Sequence, residues 1–169
     1  GDDGAKLLAQ ILSVNKSVTL IKLYRNEFGR EGAKALAESL RVNKFLNSLY
    51  LVNNSLDCEG AKVFAAALST HRSLTLLDLT DNQIGDQGAK ALAEAFNVNN
   101  SVGTINLSYN KIDDQGTKAL SEALRVNKSI NAINLSYNEI GDQGAKALAK
   151  ALHINKSLAS LDLRGNLID

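Results

Sequence analysis

Asparagine returns at a fixed interval of 28 residues, at Asn26, Asn54, Asn82, Asn110, Asn138 and Asn166, and around each the chain approximates LxxLxLxxNxL. A spacing held over the whole chain means that one supersecondary unit is copied and stacked, because such a unit cannot bury its apolar face alone. In that register the chain is one domain over 1–169. It has a helical half-repeat at 1–16, full repeats at 17–44, 45–72, 73–100, 101–128 and 129–156, and a strand half-repeat at 157–169. Gly1 and Gly4 already hold the register positions of Gly29 and Gly32, so the array is expected to be part of a longer one.

The first half of each unit predicts a short strand. In Ser101 to Asn110, Val102, Ile105 and Leu107 follow the LxxLxL spacing with β-branched, alternating positions, and Ile105 and Leu107 are expected to point inward. The second half predicts an amphipathic helix, since Ala33, Leu36, Ala37 and Leu40, like Ala89, Leu92, Ala93 and Phe96, fall at i, i+3, i+4 and i+7. Asp86, Asp114 and Asp142 are expected to N-cap their own helices. Ten of the twelve glycines sit at the two places of Gly29 and Gly32, where close helix approach is expected to exclude a Cβ. The repeated asparagine reads as architectural, its amide donating to and accepting from backbone in an irregular turn. Strand, helix and parallel strand require a right-handed crossover. The predicted α/β architecture is an open horseshoe arc, with a curved parallel sheet on the concave side and helices on the convex side.

The run SLTLLDLTDNQIGDQGAKALAEAFNVNN and its neighbours resemble leucine-rich repeats of the ribonuclease-inhibitor-like class, and the resemblance covers essentially the whole chain. Six returns of one motif at constant spacing make it specific. The resemblance implies a leucine-rich repeat solenoid serving as a protein-binding scaffold, similar to the sensor repeats of NOD-like receptors. Ribonuclease inhibitor's many cysteines are missing here, and no G-x-x-x-x-G-K-[ST] run is present.

Composition narrows the partners. With 19 Lys+Arg against 18 Asp+Glu, no strong overall field draws the chain to nucleic acid or an anionic membrane. A single cysteine, Cys58, excludes an internal disulfide framework and favours a reducing, cytoplasmic location. No segment has the length and apolarity of a membrane span.

Residues between the inward strand positions face the concave side. There the repeats differ while their frame is constant, so partner contacts are sought at Lys22, Tyr24, Arg25, Tyr50, Asp78, Asp81, Asn106, Ser108, Tyr109, Asn134, Ser136, Tyr137, Asp162 and Arg164. Six strands about 4.8 Å apart present roughly 24 Å of surface, enough for a helix or loop of another protein. All four tyrosines fall on this surface or at its exit. Interface enrichment and plain β-propensity both predict that placement. Tyr109 and Tyr137, one repeat apart, are expected to be adjacent and to form the leading contact patch, next to Asn106, Asn134, Ser108 and Ser136. Lys22 and Arg25 make one end basic, Asp78 and Asp81 the middle acidic, and Asp162 with Arg164 closes the other end.

Other signals read as structural. Lys6, Lys34, Lys62, Lys90, Lys118 and Lys146 align on the helices, but Glu38, Glu94 and Glu122 follow three of them by one turn, so a solvated face is expected rather than a nucleic-acid site. His71 and His153 lie nearly three repeats apart, without metal-ligand spacing, and Cys58 and His71 stand at opposite ends of the helical half of their repeat. No metal, cofactor or catalytic residue is expected. The reading is a non-enzymatic module binding a protein partner on its concave face. The alternative is a GTPase-activating module resembling the Ran activator, whose arginine finger would have to be Arg25 or Arg164. A structural spacer stays open as a third reading, and uncapped apolar flanks at the first helix and at Leu161 and Leu163 predict end-to-end self-association.

Overall fold

In the computed structural model, which describes residues 1–169, helix and strand alternate: α1 (Asp2–Val14), β1 (Leu20–Lys22), α2 (Arg30–Val42), β2 (Ser48–Tyr50), α3 (Cys58–Leu68), β3 (Leu76–Asp78), α4 (Gly85–Phe96), β4 (Thr104–Asn106), α5 (Asp114–Val126), β5 (Ala132–Asn134), α6 (Asp142–Ile154) and β6 (Ser160–Asp162). The strands form one parallel sheet in sequence order, so each crossover places its helix on one face. Register advances by one repeat per strand, aligning Ile21, Leu49, Leu77, Ile105, Ile133 and Leu161. These central residues and the helix stripe close a single core, in which Phe28, Phe64 and Phe96 are the largest fully buried side chains. No helix is long and apolar enough to cross a membrane. The α1 flank exposes Leu7 and Ile11, and the β6 flank exposes Leu167, whereas Leu161 and Leu163 are half-buried. These are the apolar surfaces that end-to-end association would bury.

The asparagine series is architectural, as its residue type predicts. Asn82 donates to the carbonyls of Leu51 (2.8 Å), Leu79 (3.1 Å) and Thr80 (3.0 Å), while its Oδ1 accepts from the Asn54 amide (3.2 Å). One side chain therefore bridges two repeats where strands three residues long leave backbone groups without ladder partners. A second series escaped the sequence reading. Asn43, Asn99, Asn127 and Asn155, at the helix exits, each donate to carbonyls of the preceding repeat, as Asn127 does to Phe96 and Asn99, both at 2.8 Å. Their Oδ1 atoms accept the amides two and three residues on, for example Ser129 (2.9 Å) and Ile130 (2.8 Å). In this series His71 takes the asparagine's place. It is 1% exposed, and its Nδ1 donates to Leu40 O at 2.7 Å. An imidazole nitrogen cannot copy the carbonyl oxygen that accepts two amides, so this junction keeps only part of the pattern.

The expected N-caps are corrected by the structure. Asp114 and Asp142 are the first helical residues and Asp86 lies one residue further in, while α5 is capped by Asp113, which accepts from the Gln115 amide at 2.6 Å. The aspartates instead cap the next repeat. Asp114 Oδ1 accepts from the amides of Gly141 (2.8 Å) and Gly144 (2.7 Å), Asp86 Oδ1 from Asp113 (2.9 Å) and Gly116 (3.0 Å), and Asp2 Oδ1 from Gly29 (2.8 Å) and Gly32 (2.9 Å). A carboxylate held between two helix starts meets unpaired N–H groups and the positive end of the dipole on both sides. Arg30 and Cys58 occupy this position in two repeats, and neither supplies the acceptor. At α3, Asp57 compensates by capping its own helix, accepting from Glu59 (2.9 Å) and Gly60 (3.0 Å), and the Gly60 amide holds its carboxyl below the usual range. At α4 the Gly85 amide turns to the Asn110 carbonyl (2.9 Å), but no side chain caps the helix, and Ile84 at its start is itself in helical conformation. Cys58→Asp is therefore expected to stabilise the fold by about 1 kcal/mol. A shift of the urea midpoint to higher concentration at unchanged slope measures it, and no shift would mean that α4 needs no acceptor from its neighbour.

Where Asp113 and Asp86 meet, two carboxylates crowd. Burial, together with the Asp113 carboxyl, pushes Asp86 above the ordinary carboxylate range. A carboxyl raised on folding costs stability above that range, and the cost disappears as pH falls and the group protonates. Asp113→Asn keeps the capping oxygen and removes the repulsion, so it is expected to raise stability at pH 7 by a few tenths to about 1 kcal/mol. Denaturation across pH should show the gain shrinking toward pH 4, and a gain independent of pH would contradict this origin.

The two glycine positions also separate. A Cβ on Gly116 would lie 2.6 Å from Asp86 Oδ1 and 2.8 Å from Ile112 Cγ2, and one on Gly144 would lie 2.8 Å from Asp114 Oδ1. A Cβ on Gly29 would meet nothing nearer than 4.0 Å. Gly32, Gly116 and Gly144 make room for a bridging aspartate, whereas Gly29 is not excluded by space.

Candidate functional site

The strand side chains that face away from the helices form lines running across the sheet. Parallel pairing aligns Lys22, Tyr50, Asp78, Asn106, Asn134 and Asp162 on one line. Its last four members close turns at the strand exits, where Asp78 Oδ1 accepts from the Thr80 amide (3.0 Å) and hydroxyl (2.6 Å) and Asn106 Oδ1 from the Ser108 amide (3.0 Å) and hydroxyl (2.8 Å). Asn134 and Asp162 accept the amides of Ser136 and Arg164 in the same way. These side chains are half-buried and partly committed to the backbone.

Three residues further along each repeat, Arg25, Asn53, Asp81, Tyr109, Tyr137 and Gly165 all have left-handed backbone, with φ between 50° and 68°. This bend turns their side chains onto the rim, which alternation along a strand does not predict. Tyr109 and Tyr137 stack there with centroids 4.4 Å apart and planes 9° from parallel, and they stay 50% and 48% exposed. Burial, followed by the neighbouring Tyr137 hydroxyl, raises the Tyr109 hydroxyl above its ordinary value. A Cβ on Gly165 would fall 2.5 Å from the Tyr137 ring, so glycine lets the backbone close the outer end of the stack. Asp81 continues the line on the other side and accepts from Asn53 Nδ2 at 2.6 Å.

At the opposite end Tyr24 and Tyr50 meet edge to face at 6.1 Å and 86°, and the Lys22 ammonium stands 5.4 Å above the Tyr50 ring. Arg25 is exposed and forms no ion pair. Arg164 grips Asp162 through Nε (3.0 and 3.1 Å) and Nη2 (2.6 Å), holding that carboxyl below its usual range and leaving this end close to neutral.

The structure thus brings together Lys22 with Tyr24 and Tyr50 at one end, Asp78 with Asp81 in the middle, and Tyr109 with Tyr137 beyond. Ser108 and Ser136 do not reach the surface that the sequence reading gave them. They are 4% and 3% exposed, lying between neighbouring strands beneath the tyrosine rim. The glutamates expected beside the lysine series make no ion pair with it; the close pair is Lys62 with Glu59, at 2.6 Å.

Residues 70–93, 98–121 and 126–149 match the family model described as Leucine Rich repeat. With six parallel strands alternating with six helices, the fold is a leucine-rich-repeat α/β solenoid. No curated protein matches the chain. Among solved structures, it is similar to the C-terminal domain of tropomodulin from Caenorhabditis elegans, at 15% identity and a TM-score of 0.74, covering 88% of this chain and 91% of that one. It is also similar to a leiomodin-1 structure named Actin-Binding Site 2, at 19% identity and a TM-score of 0.60, covering 92% of this chain and 76% of that one.

Proposed function

We propose that the chain is a non-enzymatic scaffold that binds another protein across its concave sheet, with Tyr109 and Tyr137 as the principal anchors. The observation that carries this reading is the half-exposed tyrosine stack. Two rigid rings held parallel offer a large contact area at little further entropic cost, and each keeps a hydroxyl for a wet interface. Lys22, Tyr24, Arg25 and Tyr50 form a second, basic contact, with Asp78 and Asp81 between the two. A partner complementary to this arrangement presents carboxylates toward β1 and cations toward β3.

The uniform repeat supports the ribonuclease-inhibitor-like subclass, in which a NOD-like receptor type of sensor is the regulatory version of the same binding. The free thiol of Cys58 suits a reducing cytoplasmic setting. The leiomodin-1 structure is named for an actin-binding site, which makes actin the first partner to assay. GTPase activation by an arginine finger would fall to Arg25, since Arg164 is held by Asp162.

The test compares wild type with Tyr109→Ala plus Tyr137→Ala, both folded by circular dichroism, in cosedimentation with actin filaments and in affinity capture from cell lysate. A protein retained by wild type and lost by the variant supports the reading. Equal retention by both would remove the tyrosine stack from the binding surface.

A further inference from the structure

We propose that the groove between α5 and α6, on the convex side, is a second interaction surface that takes an acidic peptide segment of another protein. Adjacent helices leave a shallow groove at each of three places, and the α5/α6 groove, at about 540 Å³, exceeds those between α1 and α2 (about 380 Å³) and between α3 and α4 (about 340 Å³). Its charge also differs. The α1/α2 groove sets Lys6 against Glu38, and the α3/α4 groove sets Lys62 against Glu94. The α5/α6 groove is lined by Lys118, Arg125, Lys146 and Lys150.

The difference traces to single residues. Lys150 stands at the register position of Glu38, Glu94 and Glu122, so charge is reversed where other repeats carry a carboxylate. None of the four cations is in an ion pair. Against these four cations the groove sets two carboxylates, Glu122 and Asp114, and the latter is turned to the amides of Gly141 and Gly144.

An acidic peptide fits this surface better than a nucleic acid. A phosphate backbone needs a basic stripe that continues along its path. Here the lysine series is interrupted on the earlier helices by Glu38 and Glu94, and Lys62 is held by Glu59 at 2.6 Å. The positive footprint stops at one groove. Helices of 13 residues are roughly 20 Å long, which matches about six residues of extended chain. Ala147 is the one apolar lining residue, so attraction rests on charge and weakens with salt. The surface lies on the helices, away from Tyr109 and Tyr137, and is independent of the concave reading.

The test is fluorescence anisotropy of a labelled octaglutamate peptide at low ionic strength. Lys146→Glu with Lys150→Glu is expected to weaken binding at least about tenfold. Lys6→Glu with Lys34→Glu, the same charge change elsewhere on the helical face, should leave it within about twofold, as should Tyr109→Ala with Tyr137→Ala. Absence of binding by wild type, equal weakening by the control pair, or equally tight binding of an oligothymidylate of the same charge would overturn the proposal.

Discussion

Asn110→Ala is expected to destabilise the protein by about 3–5 kcal/mol, enough to consume much of the stability of an ordinary domain. The side chain is fully buried, donates to Leu79 O (2.8 Å) and Ser108 O (3.0 Å), and accepts from the amides of Asn82 (3.1 Å) and Ile84 (3.2 Å). Alanine would strand the two amides inside the arc, where water cannot replace the lost acceptor, while Leu79 O keeps Asn82 Nδ2 (3.1 Å) and Ser108 O keeps the Asp81 amide (3.0 Å). Asn26 supplies the contrast. It is exposed, and its side chain donates to Tyr24 O alone, so Asn26→Ala should cost less than about 1 kcal/mol. Urea denaturation of the two variants decides the matter: similar losses would show that the asparagine acts through local turn propensity rather than by bridging repeats.

The second large effect is expected at Gly116. In Gly116→Ala the new methyl would occupy the space of Asp86 Oδ1 and Ile112 Cγ2, at 2.6 and 2.8 Å, so the carboxylate must leave the two amides it serves or the helices must separate. Overpacking and loss of the cap together are expected to cost about 2–4 kcal/mol. Gly29→Ala, at the first glycine of the pair in its own repeat, meets nothing within contact range, so it should cost no more than the roughly 1 kcal/mol by which alanine is the poorer N-cap. If thermal unfolding ranked the two substitutions the other way, the space argument would be wrong.

Much of this fold was legible in the sequence, because a strict period reports the same physical choice several times over. The inward Leu and Ile positions, the helix stripe and the strand-exit asparagine all stand where their spacing places them. The period could not say which unit a residue serves. Asp114 stands at the start of its own helix and reads as its cap, yet the amides it satisfies lie 27 and 30 residues further on. The helix-exit series at Asn43, Asn99, Asn127 and Asn155 is broken by His71, and a period with one exception draws less notice than the unbroken strand-exit series. At the candidate site, alternation put Ser108 and Ser136 outward. Neighbouring strands and the tight turn cover them, while the left-handed bend that lifts Tyr109 and Tyr137 onto the rim leaves no mark in hydrophobic spacing.

The bridges between repeats are unevenly distributed along the arc. Between α2 and α3, Arg30 takes the place of the aspartate and His71 that of the asparagine, so two of the three side-chain bridges present between α5 and α6 are replaced or reduced at one junction. Such an arc behaves mechanically as a leaf spring with a compliant link near one end. Load applied across the horseshoe concentrates its bending between the 17–44 and 45–72 repeats. The curvature presented by Tyr24 and Tyr50 can then adjust to a docked surface while the Tyr109 and Tyr137 stack keeps its shape.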